Sequence, residues 1–231
     1  HGGPGAAGYL SGMAKKLSDE TGVVETIHLS DSMNGQILEL QETFQLVCRN
    51  PVILAGHSWG AWLSLLFAHK YPAQCQALIL LSCPPFSPGY EPSIGKTRLE
   101  RMNQADYKRF EKLTFQLENG PETVRNHAFI ELGSLLFRID SFSKDIEIPE
   151  QLECDYSIYT RVWQEVAGLR NTGKWEEILN QIKCPLSFIH GDFDPHPAEG
   201  VVELLNKLKK KYSFELLKDG GHYPWLEPHV K

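Results

Sequence analysis

Basic residues are in deficit in this 231-residue sequence, where 23 lysines and arginines face 29 aspartates and glutamates for a formal charge of −6 at pH 7. Phosphate backbones are bound by a basic face that displaces their counterions, so the deficit argues against a nucleic-acid partner. The one basic run, Lys207 to Lys211, reads as a solvated helix end before a strand. Long apolar runs are missing too: none approaches the roughly eighteen residues of a membrane helix, so no membrane-spanning segment and no membrane partner are expected. Cysteine is sparse. Cys48, Cys75, Cys83, Cys154 and Cys184 are odd in number and widely spread, with no Cys-x-x-Cys pair and no metal-type spacing to histidine. That excludes a disulfide framework and a zinc knuckle, and the five read as buried thiols of a reducing compartment, so the expected location is the cytoplasm. No internal repeat or low-complexity tract is present.

What is there is an ordinary globular composition, 42% hydrophobic, enough to bury one sizeable core. Short apolar runs at 22–27, 51–56, 76–82, 185–191 and 212–218 alternate with helical patterns at about 7–20, 35–48, 59–70 and 197–210. This alternation predicts an α/β fold, a mostly parallel sheet with helices on its faces. One interval breaks the rhythm. Residues 84–183 separate two strands that an ordinary crossover would join in about thirty residues. Helical signals fill it, beginning at Asn103, Pro121, Asp155 and Lys174, while Pro84, Pro85, Pro88, Gly89 and Pro92 mark its entrance. The expected organisation is a core of 1–83 and 184–231 carrying a helical insertion of 84–183.

After the apolar strand Pro-Val-Ile-Leu-Ala comes Gly-His-Ser-Trp-Gly, Gly56 to Gly60, and then an apolar helical run that stops before Pro72. Gly-x-Ser-x-Gly between a strand and a helix is the nucleophile elbow, a turn too sharp for bulky side chains two residues either side of the serine. It presents the Ser58 hydroxyl at a helix N-terminus, where the dipole favours developing negative charge.

A serine nucleophile needs a base, and the base an orienting carboxylate, in the chain order serine, acid, histidine. Gly-Asp-Phe-Asp follows the strand at 185–191, with Asp194 the favoured acid and Asp192 its competitor. The next strand is followed by Asp-Gly-Gly-His, which places His222 as the base. His57 and His190 read as packed or locally hydrogen-bonded, His196 and His229 as surface groups. Two donors must meet the developing oxyanion. One is the Trp59 N–H, directly after the nucleophile; the other is the Gly3 N–H of the opening His-Gly-Gly-Pro-Gly loop.

His-Gly-Gly-Pro-Gly, Gly-His-Ser-Trp-Gly, Gly-Asp-Phe-Asp-Pro-His-Pro and Gly-Gly-His-Tyr-Pro, in that order from residue 1 to 224, closely resemble the α/β-hydrolase superfamily and within it the proline iminopeptidase-like branch. The resemblance implies a Ser58, Asp194, His222 triad, no metal, no organic cofactor, and a helical cap over residues 84–183 that shapes the pocket for a small-molecule or short-peptide substrate. Two features depart from the branch. Its usual Asp-x-Arg-Gly-x-Gly-x-Ser loop is replaced by His28 to Gln36, without arginine. Acids that would hold a substrate amine match no motif, leaving Glu131, Glu153, Asp155 and Glu165 as candidates. Tyr156, Tyr159 and Trp163 recur at helical spacing, either lining an apolar acyl or prolyl pocket or forming the core of the cap.

The expected chemistry is two-step hydrolysis of an ester or amide through an acyl-enzyme. A carboxylesterase or carbon–carbon bond hydrolase using the same triad is the alternative, and a non-catalytic binding protein on the same fold a second. Because the opening loop belongs after a central strand, the expectation is also that N-terminal strands lie upstream of this sequence, about 15 to 35 residues for one to three strands.

Overall fold

A computed structural model describes residues 1–48, 51–148 and 154–230. In chain order the elements are α1 (Ser11–Leu17), α2 (Met33–Val47), β1 (Val52–His57), α3 (Trp59–Lys70) and β2 (Cys75–Leu81). Then follow α4 (Glu91–Arg101), α5 (Gln104–Asn119), α6 (Glu122–Asp140), α7 (Tyr156–Asn171) and α8 (Lys174–Gln181), and finally β3 (Leu186–Gly191), α9 (Glu199–Lys207) and β4 (Ser213–Leu217).

The four strands lie in the order β1-β2-β3-β4 and every pairing is parallel. Parallel strands end on one edge of the sheet, so the loops after β1, β3 and β4 meet in one crevice. The helix α3 explains how the sheet is held. Its sequence is apolar all round, and such a helix is stable only when enclosed; every residue from Trp59 to Ala68 is buried. Around it the core unites Ile37, Leu40 and Phe44 of α2 with Leu78 and Leu80 of β2, Phe188 of β3 and Val201 of α9. Each such side chain contributes about 1.5–3 kcal/mol of transfer free energy.

The interval between β2 and β3 is helical, as its sequence predicts, and divides by packing. Val162 and Val166 of α7 and Trp175 and Leu179 of α8 join the core around α3. Leu113 and Leu117 of α5 instead pack with Ala128 of α6 in a small separate cluster. Side-chain caps fix two of these helices: Asn103 Oδ1 accepts from the N–H groups of Ala105 and Asp106, and Asp155 Oδ1 from those of Ser157 and Ile158.

Two local expectations are revised, and one helix lacks a forecast. Residues 22–27 form no strand: a strand exists only as a pair, no described strand runs beside this segment, and Val24 and Ile27 are each 54% exposed. The first helix is shorter than its pattern and buries none of its side chains. Conversely α4 has a weak signal, with Gly95 inside it and Ile94 its one buried residue, yet Pro92 sits in its first turn, where a missing N–H costs no hydrogen bond.

Candidate active site

Ser58 leaves β1 with φ 51° and ψ −116°, a conformation that L-residues rarely adopt, and serves as the N-cap residue of α3. The neighbouring glycines have steric reasons. A Cβ on Gly56 would lie 2.1 Å from the Gly60 carbonyl oxygen, and one on Gly60 would lie 2.8 Å from the His1 oxygen. The opening loop therefore closes directly on the elbow. A Cβ on Gly2 would stand 2.6 Å from His57 Nδ1 and 3.2 Å from Ser58 Cβ, and Gly3 adopts φ 64°. Trp59 is the first residue of α3, so its N–H has no acceptor within the helix. Its indole is fully buried and donates to Gln36 Oε1 at 2.8 Å.

Asp194 and His222 come together. His222 Nδ1 donates to Asp194 Oδ2 at 2.8 Å, and both residues are buried. Because an ionised carboxylate only accepts, Nδ1 carries a proton, and in the neutral ring Nε2 is bare. Asp192, the competing acid, is exposed. No hydrogen bond joins Ser58 Oγ to His222 among the described residues, and such bonds commonly tighten only once substrate is bound. Burial pushes the Asp194 carboxyl up, but His222, His196 and His190 together outweigh it and hold the group well below the ordinary carboxylate range.

Several residues that motif reading did not select hold this pair in place. His57 is packed, as expected, and fully buried, but its hydrogen bond is long-range: its Nε2 donates to the His222 carbonyl at 2.9 Å, while the His222 N–H donates to the Asp140 carbonyl at 2.9 Å. The backbone of His222 is thus fixed on both sides. Asp140, which is buried, ends α6 and pairs with the half-buried Arg98 of α4, whose Nε and Nη2 both reach the carboxylate. Arg101, one turn further along α4, donates to the Phe193 carbonyl at 2.8 Å and stacks on the Phe193 ring at 3.6 Å. Glu227, also buried, accepts from the N–H groups of Phe142, Ser143 and Gly221 at 2.7, 3.0 and 3.3 Å. The end of α6 is therefore tied to the His222 loop, and α4 to the Asp194 loop. Long-range pairs of this kind leave no local signature, because each partner alone reads as a solvated charge.

The Glu227 clamp gives a direct expectation. In Glu227→Gln the amide can accept at one oxygen only and turns N–H against N–H at the other position, so unfolding free energy falls by about 1–3 kcal/mol, read as a lower urea midpoint.

His196 was expected at the surface. Instead it accompanies Asp194, with its Nδ1 2.8 Å and its N–H 2.9 Å from Oδ1, and its ring stacks on that of His222 at 4.4 Å. Among the described residues, Asp194, His196 and His222 are the one group of three metal-type donors, within 4.8 Å of one another. Both Nδ1 atoms already donate to the carboxylate, so the cluster is internally satisfied without an ion.

The aromatic stripe of α7 runs toward the elbow. Tyr156 stacks on Tyr159, Tyr159 on Trp163, and Trp163 on Trp62 of α3 at 5.8 Å, with Trp59 edge-on at 6.4 Å. Its far end packs against the α5–α6 cluster. The acids proposed for an amine have other partners: Asp155 caps α7, Glu165 accepts from the Met33 N–H at 2.8 Å, and Glu131 pairs with Arg109 and His127. Glu153 lies outside the described residues.

Buried histidines make stability depend on pH. Burial lowers His196 from 6.5 to about 4 and His28 to about 3, and takes His57 well below 6.5. As the folded values are the lower ones, the unfolded chain takes up protons first when pH falls through 6.5. Their contribution is complete above about pH 6.5 and shrinks toward pH 4, by about 1.4 kcal/mol per pH unit for each group. Urea midpoints at pH 7.5, 5.5 and 4.5 should fall in that order, and His28→Asn should flatten the slope.

The model of the alpha/beta hydrolase family matches residues 8–230 of this chain. Among curated proteins, a proline iminopeptidase of Heyndrickxia coagulans is 26% identical, the alignment covering 98% of this chain and 84% of that protein. Lipase 1 of Psychrobacter immobilis is 25% identical over 86% of this chain and 57% of that protein. The crystal structure of VinJ superposes with a TM-score of 0.63 at 19% identity, covering 98% of this chain and 83% of VinJ. An E-2-(acetamidomethylene)succinate hydrolase structure gives 0.57 at 15% identity, covering 96% and 82%. Identities this low show a shared fold.

Proposed function

Since the chain belongs to the alpha/beta hydrolase family and is an α/β-hydrolase enzyme, we propose that it is a serine hydrolase that cleaves an ester or amide bond of a small substrate through an acyl-enzyme. The observation that carries this reading is the 2.8 Å contact between His222 Nδ1 and Asp194 Oδ2 in the crevice where the strained Ser58 turn begins α3. In this mechanism Ser58 Oγ attacks the substrate carbonyl and passes its proton to the bare Nε2 of His222, while Asp194 keeps the tautomer and stabilises the imidazolium. The N–H groups of Trp59 and Gly3 bind the oxyanion. His222 then protonates the leaving group and activates the water that releases the acid. Residues 1–83 and 184–231 act as the catalytic core and 84–183 as the cap, with Tyr156, Tyr159 and Trp163 along the acyl pocket.

Within this class the position of the candidate acids favours a simple acyl ester over an aminoacyl substrate. Asp155, Glu131 and Glu165 each have a structural partner, and a substrate ammonium needs a carboxylate free to meet it. The test is a panel of simple acyl esters beside aminoacyl amides, prolyl included, on protein whose Ser58 labels with a fluorophosphonate. Turnover of esters irrespective of a free α-amine supports this reading. A strict requirement for the amine restores the aminopeptidase of the proline iminopeptidase type, and failure to label Ser58 removes the serine mechanism altogether.

A further inference from the structure

A carboxylate that orients a catalytic imidazole has two oxygens, and the geometry of the second decides how firmly the first is aimed. In this chain the second oxygen is fully engaged. Asp194 Oδ1 accepts from both the Nδ1 and the backbone N–H of His196, at 2.8 and 2.9 Å, leaving Oδ2 for His222. His196 is held in turn, since its carbonyl accepts from His190 Nε2 at 2.7 Å. Its ring lies nearly parallel to that of His222, 29° apart at 4.4 Å. With Nδ1 donating to a carboxylate, the neutral ring has a bare Nε2, the same tautomer as His222.

We propose that His196 is a positioning residue of the hydrolase reaction: it fixes the Asp194 carboxylate plane through Oδ1, and its stacked ring sets the plane in which His222 turns toward Ser58. This rests on the serine hydrolase reading above. The electrostatic part follows from the same contacts. A hydrogen bond to Oδ1 withdraws charge from the carboxylate and lessens its pull on an imidazolium at His222. The other groups acting on this cluster are His190 of β3, His57 of β1, Arg98 and Arg101 of α4, Asp140 of α6 and Tyr223 beside His222. Arg98 is already paired with Asp140, so its charge changes little when His196 is replaced. Burial, with the neighbouring His222, keeps His196 itself neutral above about pH 4, so it acts as a donor and not as a second cation.

The experiment compares His196→Phe, which keeps a flat ring and loses Nδ1, with His196→Asn, whose amide N–H can again donate to Oδ1. Protonation of His222 is followed by NMR in the Ser58→Ala background, which needs no turnover, and kcat and KM are measured in parallel with Ser58 present. His196→Phe should raise the His222 midpoint by about one pH unit, as loss of one charge-assisted hydrogen bond implies. It should lower kcat about tenfold or more with KM within about twofold, and His196→Asn should recover most of both. Should the phenylalanine variant not fold, His196→Ala carries the same comparison. An unmoved His222 midpoint in a folded variant lacking Nδ1 overturns the proposal. Failure of the hydrolase reading looks different: the parent protein would neither label at Ser58 nor turn over esters, while the His222 midpoints would still report on His196.

Discussion

Ser58→Ala should lower kcat by about a millionfold and leave the protein folded. Removing the nucleophile of a triad costs nearly as much as removing all three members, because the remaining groups have nothing to activate. Stability should scarcely change, since the hydroxyl has no hydrogen-bond partner among the described residues and alanine inherits the same backbone geometry. Ser58→Gly separates the two roles of the position. Glycine tolerates φ 51° and ψ −116°, so this variant should be equally inactive yet more stable than Ser58→Ala by about 1–3 kcal/mol. Retained hydrolysis in a clean Ser58→Ala preparation, checked against fluorophosphonate labelling of the parent, would remove Ser58 from the mechanism.

Gly56→Ala should damage the elbow with a single methyl group. The new carbon would lie 2.1 Å from the carbonyl oxygen of Gly60 and 2.4 Å from its carbonyl carbon, both backbone atoms that cannot rotate away. The elbow has to open, and the hydroxyl of Ser58 moves with it. A loss of about 3 kcal/mol, the upper part of the overpacking range, corresponds to a thermal midpoint lower by about 6–12 °C for a chain of this size. A positional error of this order also costs about a hundredfold in rate. The control is Gly95→Ala within α4, where nothing lies within 4 Å of the new carbon and an alanine should stabilise by about 0.5–1 kcal/mol. If Gly56→Ala melted with Gly95→Ala and kept its activity, the steric account of the elbow would be wrong.

These contrasts show which parts of the molecule a sequence makes readable. The strands at 52–57, 75–81, 186–191 and 213–217 and the enclosed helix after Ser58 are visible because burial imposes a period on consecutive residues. The motif positions Ser58, Asp194 and His222 are visible because tight loops at strand ends need glycines at fixed offsets. Residues 22–27 carry the composition of a strand, but pairing depends on a neighbour that composition does not name. Helix α4 carries almost no period, and its work is done by Arg98 and Arg101 through partners 42 and 92 positions away. His196 was misread for a related reason. A histidine after Pro195 looks like a loop residue until the carboxylate of Asp194 turns back to meet it.

The ties around the end of α6 bear on how such proteins could be recombined. Arg101 and Asp140 lie inside the helical interval, yet they bond the loops that carry Asp194 and His222. A chimera that exchanges residues 84–183 for those of a relative would replace one half of each contact and leave Glu227 facing foreign backbone at 142 and 143. The interval is therefore not a freely portable module. A productive exchange would cut inside it, transplanting the α5–α6 hairpin with its own small apolar cluster while α4 and the last turn of α6 stay with the host.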